Sequence, residues 1–208
     1  RFFLLFPLVL YCAACPGQQV TADSLQYSVA EKNARILYQR FTDPSARLYN
    51  GPEYVDYSYQ LKKGDPFFEC TEFTPGNIVY DGLFYENVPM LYDLVKQEIV
   101  IHDPFNTYQL SLIIERVASF TFMNHSFVRL VQNDSNQAAI STGLYEVLYN
   151  GNTAVYKKQK KTIQEETQQD GVMRYIEETN AWFIRKEQKI YAAGSKSAML
   201  SVFRNRKS

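Results

Sequence analysis

Gly143-Leu144-Tyr145-Glu146-Val147-Leu148-Tyr149-Asn150-Gly151-Asn152-Thr153-Ala154-Val155-Tyr156-Lys157-Lys158 decides the fold class. Asn-Gly between two runs rich in β-branched and aromatic residues is the strongest short hairpin signal a sequence offers. The same chemistry recurs upstream, where Asp81-Gly82 separates Asn77 to Tyr80 from Leu83 to Val88. Lys96-Gln97 likewise separates Met90 to Val95 from Glu98 to Ile101, and Asn124-His125 separates Phe120 to Met123 from Phe127 to Val131. Tyr108, Leu110, Leu112 and Ile114 alternate with Gln109, Ser111 and Glu115, as a strand with one solvated face does. Tyr54 to Tyr59, Pro66 to Phe73, Arg174 to Glu177, Trp182 to Arg185 and Lys189 to Ala193 read as further short strands. The expected fold is mainly β. It is an antiparallel meander of about ten strands in short hairpins, closed as a sandwich or as a curved barrel-like sheet.

A helix is expected at each end. From Asp23 to about Tyr38, Leu25, Val29, Ala30, Ile36 and Leu37 recur at helical spacing, with Asp23 or Ser24 as N-cap and Asp43-Pro44 as the stop. Ser195 is the expected N-cap of a last helix running from Lys196 to about Phe203. Gln132 to Ser141 is polar and reads as the longest loop. The domain organisation follows as a signal peptide over 1–17, a helical segment over 18–47, and a single β domain over 48–208 ending in a short helix.

The signal peptide is read from Arg1 followed by an apolar run, Phe2 to Ala14, and then Pro16-Gly17. That run is shorter than the ~20 residues a bilayer-spanning helix needs. The chain opens without Met, so one or more residues are expected before Arg1. Cleavage is expected after Gly17. Cys12-Ala13-Ala14-Cys15 also resembles an imperfect lipobox, which makes Cys15 a candidate lipid anchor. Of the three cysteines, only Cys70 lies beyond this segment, so an internal disulfide is not expected. Cys70 has no His or basic residue beside it in sequence to activate a thiolate, and is read as a small apolar residue.

The 208 residues are 46% hydrophobic, with 16 Tyr and 14 Phe, which is enough apolar surface for a packed core and excludes wholesale disorder. A net charge of 0 excludes the basic balance of a dedicated nucleic-acid binder. The charge is uneven, however. Residues 153–208 hold 12 Lys/Arg against 6 Asp/Glu, and residues 18–152 hold 9 against 16. The densest basic run, Lys157, Lys158, Lys160 and Lys161, is the candidate partner-binding surface for an anionic envelope component or an acidic protein. Strand alternation places Lys158 and Lys160 on one face and Lys157 and Lys161 on the other.

No sequence motif for catalysis, a metal or a cofactor is present. There are two His, His102 and His125, the latter read as lying in a turn, and there is no HExxH, GxSxG, P-loop or GxGxxG. Glu69, Glu72, Glu86 and Asp93 are the acids that a hydrolase would have to pair in space. One local motif recurs: Leu48-Tyr49-Asn50-Gly51, Val79-Tyr80-Asp81-Gly82 and Leu148-Tyr149-Asn150-Gly151. Its uneven spacing argues for convergent turn chemistry, with Asn/Asp-Gly supplying positive φ, over a repeated module.

These stretches, together with Gly64-Asp65-Pro66-Phe67-Phe68 and Lys189-Ile190-Tyr191, resemble a group of uncharacterised exported β-rich proteins of the Bacteroidota. The resemblance implies export to the periplasm or outer membrane and transfers no catalytic residue. The functional expectation is an exported, non-enzymatic β module of the bacterial envelope that binds a partner protein or an envelope component, without a cofactor. The alternative is an envelope hydrolase working through acidic residues.

Overall fold

The computed structural model describes residues 31, 47–132, 140–169, 171–187 and 189–204. The chain divides into two compact units, Arg1–Thr42 and Asp43–Ser208, and the sheet belongs to the second. The signal segment, Cys15 and the helix expected from Asp23 lie outside the described residues, as does most of the Gln132 to Ser141 loop.

Ten strands form one antiparallel sheet: β1 (Thr74–Tyr80), β2 (Leu83–Asp93), β3 (Glu98–His102), β4 (Gln109–Ser111), β5 (Val117–Phe122), β6 (His125–Leu130), β7 (Gly143–Asn150), β8 (Thr153–Gln168), β9 (Gly171–Lys186) and β10 (Lys189–Ala192). The spatial order is β10-β9-β8-β7-β6-β5-β1-β2-β3-β4. The first strand thus lies inside the sheet. The chain runs outward from it to β4, returns through a 3-10 turn at Ile114–Arg116, lays β5 on the other side of β1, and runs outward again to β10. A helix, α1 (Lys196–Arg204), follows. The Ser195 hydroxyl accepts from the Ala198 amide as its N-cap. Among the described residues no helix is long and apolar enough to cross a membrane.

The mainly β antiparallel meander is as the sequence predicts, in the curved single-sheet form. The Lys161 amide of β8 donates to the Leu94 carbonyl after β2 at 3.1 Å, and Gln97 Nε2 donates to the Gln159 carbonyl at 3.1 Å. Four strands stand between β8 and β2 in the sheet, so these bonds require it to roll up. The inner face of the roll holds the main core, including Ile78, Tyr80, Met90, Tyr92, Phe120, Phe122, Phe127 and Leu144. Phe120 and Phe127 stack at 4.4 Å and 6°, and Phe68, from the segment before β1, meets Phe127 edge-on at 5.3 Å. Two smaller apolar clusters lie apart from it: Tyr145, Tyr156 and Phe183 with Ile140, and Tyr54 and Phe67 with Leu91 and Val100.

Several local expectations are corrected. The strands are not uniformly short, because β8 and β9 are each 16 residues and pair along their whole length. Leu83 to Val88 and Met90 to Asp93 are one strand, and Leu94 and Val95 belong to the turn that follows. Pro89 sits within the strand, opposite Pro75 of β1. Neither proline's missing N–H is needed elsewhere, since pairing with β5 begins at Gly76 and pairing with β3 begins at Met90. Pro66 to Phe73 and Tyr54 to Tyr59 are mostly loop, with an isolated bridge from Phe67 to Asp93 and a 3-10 turn at Ser58–Gln60. The β5–β6 turn is Met123-Asn124, both at positive φ, so His125 opens a strand and is not a turn residue.

Candidate functional site

The lysine run lies in β8, and alternation distributes it over two faces as expected. Lys161 is only 11% exposed and donates to the Phe67 carbonyl at 2.5 Å, with Asp65 at 3.4 Å. On the same face Lys157 reaches Gln159 Oε1 at 2.9 Å and Glu146 at 3.6 Å. On the opposite face Lys158 donates to the Ser141 hydroxyl at 2.7 Å and lies 5.0 Å from the Tyr145 ring centre. Burial, aided by the charge of Lys160, lowers the pKa of its ammonium. Lys160 is the exposed member. The four lysines are not one cationic patch, and three of them serve internal contacts.

The acids expected for hydrolysis do not converge. Asp93 is fully buried and accepts from the Tyr54 and Tyr57 hydroxyls, both at 2.8 Å, and from the amides of Val95 and Lys96. Lys96 covers both tyrosine rings, 4.1 and 4.6 Å from their centres. This carboxylate fastens the β2–β3 turn. Burial, with the Asp93 charge second, drives both phenol pKa values upward. Glu72 and Glu86 are exposed. Glu69 finds a partner the sequence did not indicate: His125 Nε2, at 3.5 Å. The other ring nitrogen, Nδ1, lies 2.6 Å from buried Glu146, which Lys157 also faces. An imidazole between two carboxylates is a geometry suited to proton transfer. Cys70 packs against the core with its sulfur 3.4 Å from the Glu72 carbonyl. Among the described residues no group of His, Cys, Asp and Glu is placed to hold a metal ion.

A concave site lies on the outer face of the sheet, across β2, β1, β5, β6 and β7. It is an open groove of about 510 Å³. Strand register sets its floor as two rows. Asn77, Thr121 and Ser126 are successive cross-strand partners, and so are Phe84, Val79, Ser119 and Val128. The rims are aromatic and exposed: Phe84 at 60% on the β2 side, and Tyr149 at 61% with Leu148 at the end of β7. A second hollow of about 190 Å³ shares Asn77 and Thr121 with the groove and adds Asn87 and Asn124. No residue lining either hollow is charged, in a chain with 21% charged residues. Neither Glu69, His125, Glu146 nor any of the four lysines lines them.

Gly151 accounts for the pose of Tyr149. A Cβ on Gly151 would stand 2.8 Å from the Tyr149 hydroxyl oxygen and 3.1 Å from its ring, so the bare glycine seats that ring. Gly151 is not at positive φ, which corrects the expected role of Asn150-Gly151, whereas Asp81 and Gly82 do take positive φ. Gly51, in turn, leaves room for the Ser111 carbonyl, with which a Cβ would collide. The three Tyr-Asn/Asp-Gly occurrences thus do three different jobs. Alternation and composition marked Tyr149 and Phe84 only as strand residues, because the groove depends on which five strands stand side by side. Comparison with protein-family models, with curated proteins and with solved structures finds no match to this chain.

Proposed function

We propose that this chain is an exported, non-enzymatic β module of the bacterial cell envelope that holds an envelope component on the outer face of its sheet. The observation that carries this reading is the uncharged, aromatic-rimmed groove on the outer face of the sheet. The hydrophobic start of the chain and the resemblance to exported Bacteroidota proteins support the compartment. Lys160 is the part of the basic run available to an acidic partner. The test is retention of envelope extract on the immobilised full chain, compared with the Phe84→Ala/Tyr149→Ala double variant. Retention that depends on the two rings supports the reading, and equal retention by both proteins refutes it. Expressed with a complete start, the chain should be processed between Ala14 and Gly17. An intact apolar segment on cytoplasmic protein, seen by mass spectrometry, would overturn export.

A further inference from the structure

We infer that the groove takes a neutral saccharide chain. This rests on the outer face being the binding surface and adds the chemistry of the ligand. The floor is built from groups that both donate and accept: the hydroxyls of Ser119, Thr121 and Ser126, and the amide of Asn77. None of the three hydroxyls has a side-chain hydrogen bond within the described residues. Asn77 spends only its oxygen, on the Asn87 amide at 3.0 Å, so its NH₂ is available. An array of two-way hydrogen-bonding groups matches a ligand made of hydroxyls. A lipid tail would leave these groups desolvated without partners, which costs free energy at each one.

Charge and backbone exclude the other polymers. An anionic polymer needs cations, and neither hollow has one. An extended peptide gains affinity by adding a strand to a free sheet edge. The floor strands β1, β5 and β6 each have a neighbour on both sides, so their backbone is already occupied. Phe84 and Tyr149 lie on strands four places apart, and Tyr149 is four residues along β7 from Tyr145, which shares the cross-strand row of Phe84, so the two rings stand diagonally across the groove. Their exposed ring faces suit the apolar C–H face of a sugar ring at each end of a short oligomer. The second hollow, with Asn87 and Asn124, prolongs the same uncharged path.

The test is binding of the full chain to an array of neutral hexose, pentose and N-acetylhexosamine oligosaccharides, with oligogalacturonate and heparin oligosaccharides as acidic controls. Hits are titrated calorimetrically at about 0.05 and 0.5 M salt, a range over which the Debye length falls severalfold. The expected result is a neutral ligand whose affinity changes less than about twofold with salt and falls about tenfold or more in both Tyr149→Ala and Phe84→Ala. Lys189→Gln, an exposed lysine of β10 outside both hollows, should leave it unchanged. Both rings are mostly exposed, so these variants should keep the parent far-UV spectrum and unfolding midpoint. No neutral ligand bound, acidic ligands bound with steep salt dependence, or affinity indifferent to both rings would each overturn the inference. If envelope material is still retained through the two rings while no neutral saccharide binds, the ligand class falls and the binding face stands. If retention is also indifferent to the rings, both fall.

Discussion

Lys161 stands in the densest basic run and is nearly withdrawn from solvent, with its ammonium on the Phe67 carbonyl. Removing it strands that carbonyl, which costs about 1–3 kcal/mol for a buried polar group left without a partner. Lys161→Met should therefore lower stability by that amount in urea denaturation, while Lys160→Gln moves it by less than about 0.5 kcal/mol. Equal effects would mean the two lysines are alike. Gly151→Ala should displace the Tyr149 ring while leaving the tyrosine in place. The expected readout is a changed near-UV tyrosine signal and weakened groove binding at nearly unchanged stability. Tyr54 and Tyr57 behave differently, because burial and Asp93 favour their neutral form in the native state. Their contribution is complete below the ordinary phenol value of 10.0 and fades only as the pH rises through the raised native values. Alkaline titration should show them ionising together with loss of far-UV ellipticity, not before it. Asp93→Ala, which leaves two phenols and two amides short of an acceptor, should cost ~3 kcal/mol or more.

The β8–β9 hairpin was the element least legible in the sequence. Its proximal half, Ala154 to Tyr156 against Phe183 to Arg185, carries apolar and aromatic residues and is read correctly. The distal half reads as polar, because its partners are backbone groups of loops and not side chains of a core. The Lys62 amide donates to the Arg174 carbonyl and the Ile176 amide to the Lys63 carbonyl, so a segment far upstream edges the strand. Periodicity cannot register such pairing. By contrast, Asp81-Gly82 and the Ser195 cap were legible, because their chemistry is local. The groove was not, since its rims lie 65 residues apart in sequence, at Phe84 and Tyr149. Gly64 is the hinge of the distal contact. It holds φ at +81°, and a Cβ there would stand 2.9 Å from Ile176 Cβ. Gly64→Ala should lower stability by about 1–3 kcal/mol and speed hydrogen exchange at Ile176 more than at Tyr156. Uniform acceleration across β8 and β9 would show that the distal half has no separate anchorage.

Across the whole molecule, the seam between β1 and β5 joins two meanders that leave the centre of the sheet in opposite directions. Each meander alone would expose an edge at the seam and half of the main core. The aromatic rings do not respect the division. Tyr92 of β2 meets Phe120 of β5 at 5.4 Å and Phe127 of β6 at 5.5 Å, and Phe68 from before β1 packs against both Tyr92 and Phe127. Rolling the sheet then ties β8 back to the end of β2 through Lys161 and Gln159. These shared contacts make the rolled sheet one cooperative unit. The single tryptophan, Trp182, lies in β9, remote in strand order from the seam, and reports on one meander alone, whereas far-UV ellipticity reports on both. In denaturant the two signals should give coincident transitions. Phe120→Ala, which empties a 2%-exposed site at the seam, should shift both together by about 3–5 kcal/mol. A variant in which Trp182 fluorescence keeps its parental midpoint while the ellipticity falls early would show two independently stable halves, and the seam would then be a contact between them and not their common core.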